Sequence, residues 1–324
     1  MPKAIRLYEL GGPEVMRWEE YDPGSPGPGE ARVRHTAIGV NFIDVYDRTG
    51  LYPTTLPTGL GREAAGVVEK LGPKARGLKV GERVAYTLAS PGSYADVRNV
   101  PVERLVRIPR GISEAQAAGM MLKGLTAQYL LRQTRRVKRG DTVLIHAAAG
   151  GVGLIACQWA RRLGAHVIGV VGSEPKARLA RRHGCRHVIV GRDVDLAGAV
   201  RKITRGAGVD VVYDGVGKDT FFASLDCLKP LGLMVSYGNA SGPVPPIAPL
   251  ELSRRGSLFL TRPTLFHYTA TRAALERAAR DLFGVVSSGA VTIRVGQSYP
   301  LRDAATAHRD LEARRTTGST ILLP

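Results

Sequence analysis

Ala148-Ala149-Gly150-Gly151-Val152-Gly153 fits the pattern G-x-G-x-x-G, with alanine in the first place. Before it, Val143 to Ala147 is a short apolar run, long enough for one buried parallel strand. After it, Leu154, Ile155, Ala156, Trp159 and Ala160 recur at helical spacing. Strand, tight small-residue turn and helix form the context in which such glycines hold a dinucleotide. Ala148 and Gly150 let the chain turn and bring backbone close to a pyrophosphate, while Gly153 lets the helix press onto the strand. A helix starting near Gly151 points unbonded N–H groups and its positive end at phosphates. Ala149, Gly150, Gly151, Val152 and Gly153 are therefore expected to line a cofactor site. A Gly-rich turn with no ligand is the alternative, and the flanking elements weigh against it.

An NAD site places a carboxylate on the ribose roughly twenty residues beyond the glycines. Counting on from Gly153 reaches Ser173, beside Gly172, with Lys176 inside the next helix. Ser173 and Lys176 can accept a 2′-phosphate by hydrogen bond and charge. Glu174 competes, as a holder of ribose hydroxyls, and Lys176 has a plain alternative as a solvated helix residue. These residues alone leave NADPH and NADH both open.

Metal chemistry finds little support. The three cysteines, Cys157, Cys185 and Cys227, are far apart and form no C-x-x-C, which argues against a disulfide scaffold and a four-cysteine zinc site. The seven histidines show no metal-ligand spacing, and each reads as a surface or structural side chain. No metal is expected.

A chain of 324 residues predicts two domains. No apolar run approaches the ~20 residues that span a bilayer. Met1 to Arg6 has no apolar segment behind it and no cleavage site, so a signal peptide is not expected. A reducing, cytoplasmic location follows. The net charge of +18 could give non-specific affinity for nucleic acid, with arginine dense at 132–139, 161–162 and 176–186. There is no nucleic-acid module and no aromatic interleaving, so nucleic acid is not an expected partner. A positive field that draws anionic cofactors is the expected consequence.

The elements that must position these residues follow from periodicity. Residues 1 to about 124 predict a barrel-like β domain: short strands at Ala4–Tyr8, Val15–Glu19, Ala31–Ala37, Gly66–Lys70, Arg83–Thr87, Tyr94–Val97 and Leu105–Ile108. Pro23 to Gly29 is loop. Asn41–Arg48 and Ser113–Met121 predict helices, the second with Ser113 as N-cap and Gln116 three residues on. From Gly124 to about Ser257 the rhythm is strand–helix–strand, starting with a helix at Thr126–Arg136. It runs on through strands at His166–Val171, His187–Val190, Val209–Tyr213 and Leu233–Tyr237. Helices at Glu174–His183, Leu196–Thr204 and Thr220–Leu228 lie between them. That alternation predicts a doubly wound parallel sheet with ligands at the carboxyl ends of its strands. Beyond it come helices at Arg272–Ser287 and Ala304–Arg314, strand and loop at Val291–Pro300, and a final strand at Thr320–Leu323. One option is that this last strand returns to complete the first domain.

The whole chain resembles the medium-chain dehydrogenase/reductase superfamily, and within it the zinc-independent NADPH:quinone oxidoreductases related to zeta-crystallin. Gly140 to Arg161, Asn41-Phe42-Ile43-Asp44 with Tyr46, Gly50-Leu51-Tyr52-Pro53, Lys123-Gly124-Leu125-Thr126, Ser236-Tyr237-Gly238-Asn239 and the ending Gly318 to Pro324 carry the resemblance. It implies an α/β fold with a GroES-like β-barrel catalytic domain built from 1–124 and 262–324. The Rossmann domain, 125–261, is inserted in it, and the assembly is a homodimer. It implies that Lys176 and Arg314 hold the 2′-phosphate of NADPH. Asn41, Asp44, Lys123 and Thr126 belong to the cofactor site, Gly238 and Asn239 hold the nicotinamide end, and Leu265-Phe266 line the pocket. At Gly191 the chain departs from relatives that carry tyrosine there; Arg192 is a possible substitute.

Zinc-dependent relatives carry Gly-His-Glu where this chain has Gly61-Arg62-Glu63, and a cysteine near Asn41; here no cysteine precedes residue 157. The three protein ligands of a catalytic zinc are missing. A quinone takes hydride without a metal, because aromatisation drives the transfer and the developing phenolate needs only hydrogen-bond donors. Asn41, Tyr46, Tyr52 and Lys123 are the candidate polar groups. An NADPH-dependent quinone reductase is the leading reading and an alkenal or enone reductase the runner-up. An RNA-binding protein that retains NADPH, and a zinc alcohol dehydrogenase, follow behind them.

Overall fold

The computed structural model describes residues 1–191 and 194–324. Arg192, the suggested substitute for the missing tyrosine, lies outside the described residues. The chain divides into two compact units. One comprises Met1–Leu125, Thr269–Ser287 and Ile293–Pro324; the other comprises Thr126–Tyr268 and Ser288–Thr292.

The first stretch carries β1 (Lys3–Leu7), β2 (Arg17–Glu20), β3 (Glu30–Val40), α1 (Phe42–Thr49), β4 (Thr58–Gly59), β5 (Glu63–Leu71), β6 (Arg83–Thr87), β7 (Val97–Pro101), β8 (Val106–Arg107) and α2 (Glu114–Tyr129). Along the first half of β3 side chains alternate, with Ala31, Val33 and His35 inward and Arg32 and Arg34 outward. Tyr94 and Ala95, expected in a strand, instead precede β7 as loop. Their backbone is still paired, Tyr94 N–H to Leu60 O at 2.8 Å and Ile5 N–H to Tyr94 O at 2.8 Å.

Two helices were expected on either side of Gly124, and the structure has one. Gly124 lies inside α2, and a Cβ there would come within 2.5 Å of Leu282. The glycine serves close packing against a neighbouring helix and does not break its own. Ser113 and Gln116 cap α2 reciprocally, Ser113 N–H to Gln116 Oε1 at 3.0 Å and Gln116 N–H to Ser113 Oγ at 3.2 Å. The helix then widens into a π-turn at Leu130–Thr134.

The second stretch carries β9 (Thr142–Ile145), α3 (Gly151–Arg162), β10 (His166–Val171), α4 (Glu174–Arg182), β11 (His187–Val190), α5 (Leu196–Thr204), β12 (Val209–Asp214), α6 (Phe221–Asp226), β13 (Leu228–Ser236), α7 (Leu250–Arg254), β14 (Phe259–Thr261) and α8 (Leu265–Tyr268). Its sheet is wholly parallel, in the order β11-β10-β9-β12-β13-β14. β13 starts five residues before the expected Leu233, because its first residue already pairs with Val209. Leu144, Ile168, Val212, Phe221 and Met234 are in its core.

The chain then adds α9 (Arg272–Ser287), β15 (Val295–Pro300), α10 (Ala304–Glu312) and β16 (Ser319–Leu323). β16 runs antiparallel to β3, with Thr320 opposite Val40 and Leu322 opposite Ile38, and parallel to β15. The tail therefore completes the first unit's seven-stranded sheet, β15-β16-β3-β5-β6-β8 with β7 also on β3. Leu301, Ala304, Ala307 and Leu322 share a core with Leu7, Val33, Ile38 and Tyr94. Among the described residues no helix is long and apolar enough to cross a membrane.

Candidate active site

In the second unit the glycine turn is built as its residue types require. Past β9, Ala147 turns left-handed at φ 49°. Ala148 N–H then bonds Val170 O at 3.1 Å, which ties the turn to the end of β10. The first bond that opens α3 is Leu154 N–H to Gly150 O at 2.9 Å. The amides of Gly151, Val152 and Gly153 precede it and are the donors that a helix start offers to an anion. Gly153 has no room for a side chain: a Cβ would run into Ala147 O and stand 2.7 Å from Ala148 Cα. Gly150 and Gly172 are the opposite case. Among the described residues, a Cβ on Gly172 would meet nothing within 4 Å, and one on Gly150 only Ala147 O at 3.2 Å. Rigid glycine packing on one side and open space on the other fit a dinucleotide.

Gly172 and Ser173 follow β10, next to β9 in the sheet, and Ser173 is the N-cap of α4, with Lys176 half-buried in its first turn. Glu174, the competing ribose ligand, is exposed, with Arg181 3.8 Å away. Farther along the same sheet edge, buried Asp214 orders the turn after β12. Its Oδ1 accepts from Val216 N–H at 2.7 Å and Gly217 N–H at 3.1 Å; its Oδ2 accepts from Thr220 at 2.7 Å and Ser224 at 3.2 Å. Gly238 packs against that turn, with Gly215 Cα 2.9 Å from where its Cβ would be. Turned so that both its ends find partners, the Asn239 amide accepts from Arg262 at 3.2 Å through its oxygen, and Arg262 also donates to Ser236 O at 3.1 Å. Thr126 is buried on α2, and Phe266 on α8 is 40% exposed.

In the first unit two of the expected residues, Asn41 and Lys123, converge on a carboxylate to which the motifs assigned no role. Glu63 is completely buried at the start of β5. Its Oε2 accepts from Asn41 Nδ2 at 2.8 Å and lies 3.3 Å from Lys123 Nζ, and its Oε1 accepts from Leu122 N–H at 2.6 Å. Asn41 is the N-cap of α1, and its own N–H donates to Asp44 Oδ2 at 2.8 Å. Asp44 is also fully buried, and burial pushes its carboxyl up to about 7. The Asn41 N–H pulls it down, Asp47 pushes it up, and Tyr94 and Arg62 pull it down. Among the described residues Asp44 Oδ1 has no hydrogen-bond partner, so it is ready to meet a ligand. The rings of Tyr46 and Tyr52 meet edge-on with centroids 5.2 Å apart. Arg314 follows α10, exposed and at φ 59°.

Arg62 donates twice to Asp47, at 2.6 and 3.0 Å. A guanidinium offers donors only and cannot ligate a cation. Among the described residues no three His, Cys, Asp or Glu cluster so as to hold a metal ion. His35, His146 and His308 are buried and hydrogen-bonded.

The sequence matches the alcohol dehydrogenase GroES-like domain over residues 27–110 and the zinc-binding dehydrogenase family over residues 151–282. It is 52% identical to a quinone oxidoreductase of Pseudomonas aeruginosa over 325 residues, covering 100% of both chains. It is 50% identical to a 2-haloacrylate reductase of a Burkholderia species, covering 100% of this chain and 99% of that one. The solved structure of Escherichia coli quinone oxidoreductase complexed with NADPH superposes with a TM-score of 0.97 at 48% identity, covering 99% of this chain and 100% of that one. The chain belongs to the quinone oxidoreductase family of medium-chain dehydrogenases and reductases. The expected architecture, a Rossmann sheet inserted in a GroES-like domain, is borne out with it. Glu63, quoted in Gly61-Arg62-Glu63 only for the missing zinc ligand, had been given no role of its own. Its signal is a carboxylate directly opening the apolar run Ala64-Ala65-Gly66-Val67-Val68.

Proposed function

We propose that this chain catalyses metal-free hydride transfer from NADPH to a quinone. The observation that carries the reading is its 48% identity and 0.97 TM-score, over the full chain, with a quinone oxidoreductase solved with NADPH. Bound NADPH supplies the hydride. The Gly151, Val152 and Gly153 amides hold its pyrophosphate, with Ala149 and Gly150 making the backbone approach. Ser173 and Lys176 hold the 2′-phosphate, and Gly238 and Asn239 position the nicotinamide end. Asp44 Oδ1 accepts a cofactor hydroxyl. Asn41 and Lys123, both fixed on Glu63, are donors that stabilise negative charge developing on the acceptor oxygen, with Tyr46 and Tyr52 beside them.

The test follows nicotinamide absorbance with 1,4-benzoquinone, 2-chloroacrylate and a 2-alkenal in turn. We expect quinone-dependent oxidation of NADPH well above that of NADH. Lys176→Glu should cut kcat/KM for NADPH about tenfold or more, since a charge-assisted contact to phosphate is worth roughly 1.5–3 kcal/mol, with little change for NADH. The 50% identity to a 2-haloacrylate reductase favours reduction of a polarised carbon–carbon double bond as the second reading. Turnover with chloroacrylate or alkenal and none with quinone would replace the first by it.

The functional unit in this reading is a cytoplasmic homodimer. Among the described residues β14 pairs on one side only, with β13, and Phe259 on it is 60% exposed. An apolar strand with an open edge invites a second copy. Sedimentation should give a dimer, and Phe259→Lys should shift it toward monomer without loss of fold. A monomeric wild type removes the dimer.

A further inference from the structure

His308 is completely buried on α10. Its Nδ1 lies 3.1 Å from Arg48 Nη1, and its Nε2 lies 3.0 Å from the Tyr94 hydroxyl. Because a guanidinium only donates, Nδ1 must accept and the ring hydrogen must be on Nε2. The Tyr94 oxygen therefore accepts from His308, and its own hydrogen goes to Asp44 Oδ2 at 2.9 Å. All three bonds run one way, from Arg48 through His308 and Tyr94 to Asp44. The source is anchored: Arg48 is 1% exposed, donates to Glu312 at 3.0 and 2.8 Å, and donates to Gly11 O at 3.0 Å.

We infer that Tyr94 and His308 are positioning residues for the reaction: they deliver one directed O–H to Asp44, and Asp44 holds the backbone N–H of Asn41. The inference rests on Asn41 belonging to the reacting site. The charged and titratable groups that act on Asp44 are Asp47 on α1, Arg62 just before β5, and Tyr94; His308, Arg48 and Glu312 follow one another behind Tyr94 along the chain of bonds. Burial and the Arg48 charge bring His308 down to about 3, so it stays neutral in the working range. Asp44 is then the group that changes charge near neutrality. Ionised, it is a strong acceptor for Asn41 and Tyr94; protonated, it is a weak one. Turnover should accordingly fall as the pH drops through about 7. The Tyr94 bond pulls the Asp44 carboxyl down, so its removal moves that limb to higher pH.

The experiment compares wild type with Tyr94→Phe, His308→Leu and His308→Gln. Tyr86→Phe is the control, a buried tyrosine 3.0 Å from His35 Nε2 in the same unit. For Tyr94→Phe we expect kcat lower by about tenfold with KM for quinone within about twofold, and the acid limb raised by roughly half a unit to one unit. His308→Leu should behave alike. His308→Gln should recover most of the loss, because an amide oxygen can accept from Arg48 while its N–H donates to Tyr94. A substrate-free readout is the melting temperature against pH. Folded Asp44 binds its proton more tightly than the unfolded chain, so wild-type stability should fall as pH rises from 3.8 to about 7, and Tyr94→Phe should extend that fall upward. A Tyr94→Phe enzyme with the wild-type pH profile and melting curve overturns the inference, as does an equal shift in Tyr86→Phe. If Tyr94→Phe does not fold, His308→Leu against His308→Gln decides. If the wild type turns over no acceptor, the functional reading fails, and the melting curves alone judge the chain of bonds.

Discussion

Glu63→Ala should unfold at markedly lower temperature and retain about one per cent or less of wild-type turnover, a size that misplacement of a reacting group by about 1 Å can produce. The buried carboxylate pairs with Lys123, 3.3 Å away and itself 6% exposed. Removing one partner of a buried ion pair costs roughly 3–5 kcal/mol, since the remaining charge is left without compensation. Two further donors lose their acceptor at once, Asn41 Nδ2 and Leu122 N–H. Against a total stability of about 5–15 kcal/mol, that is a large share. Glu63→Gln separates the parts. Its amide oxygen still accepts from one neighbour, but Lys123 has no counter-charge, so both losses should be intermediate. Thermal melts and steady-state kinetics on the two variants check this. A Glu63→Ala enzyme that melts like wild type would show that water screens the pair.

The second large effect concerns two glycines of the turn region that should behave differently. Gly153→Ala should lose both stability and NADPH binding. Its Cβ would press on Ala147 O and on Ala148 Cα at 2.7 Å. Both are backbone atoms that no rotamer change can move, so α3 must lift off β9. Overpacking of this kind costs roughly 1–3 kcal/mol, occasionally more, and it displaces the three amides that the pyrophosphate requires. Gly172→Ala should melt like wild type, because none of the described residues stands within 4 Å of the added methyl. It should bind NADPH more weakly all the same, because the methyl occupies the space left for the ligand. Calorimetric titration with NADPH, run beside thermal melts, gives both quantities. Equal stability loss in the two variants would mean that Gly172 serves the fold and not the nucleotide.

Much of the fold was legible because its signals are local. The glycine turn between β9 and α3 follows from a few adjacent residues, and Ser113 with Gln116 announced the start of α2. Asn41 was placed correctly at the start of α1 for the same reason. Gly124 misled, since a glycine that ends a helix and one that admits Leu282 look identical without the neighbour. Tyr94 misled too: its β-forming type is used for a buried hydroxyl, and its backbone pairs outside the named strands.

The residue types along the chain, taken alone, determined the parallel sheet, the dinucleotide turn and Arg62 in place of a zinc ligand. Periodicity, chain-turn chemistry and donor type act over a few positions and survive without tertiary context. What the tertiary structure decided is which charges are buried and what they bond to. Glu63 meets Asn41 from 22 positions away and Lys123 from 60, and Tyr94 meets His308 from 214. Whether a carboxylate is a solvated surface group or the anchor of a site depends on the dielectric around it and the donors within about 3 Å. Both come from packing segments that the linear order keeps far apart.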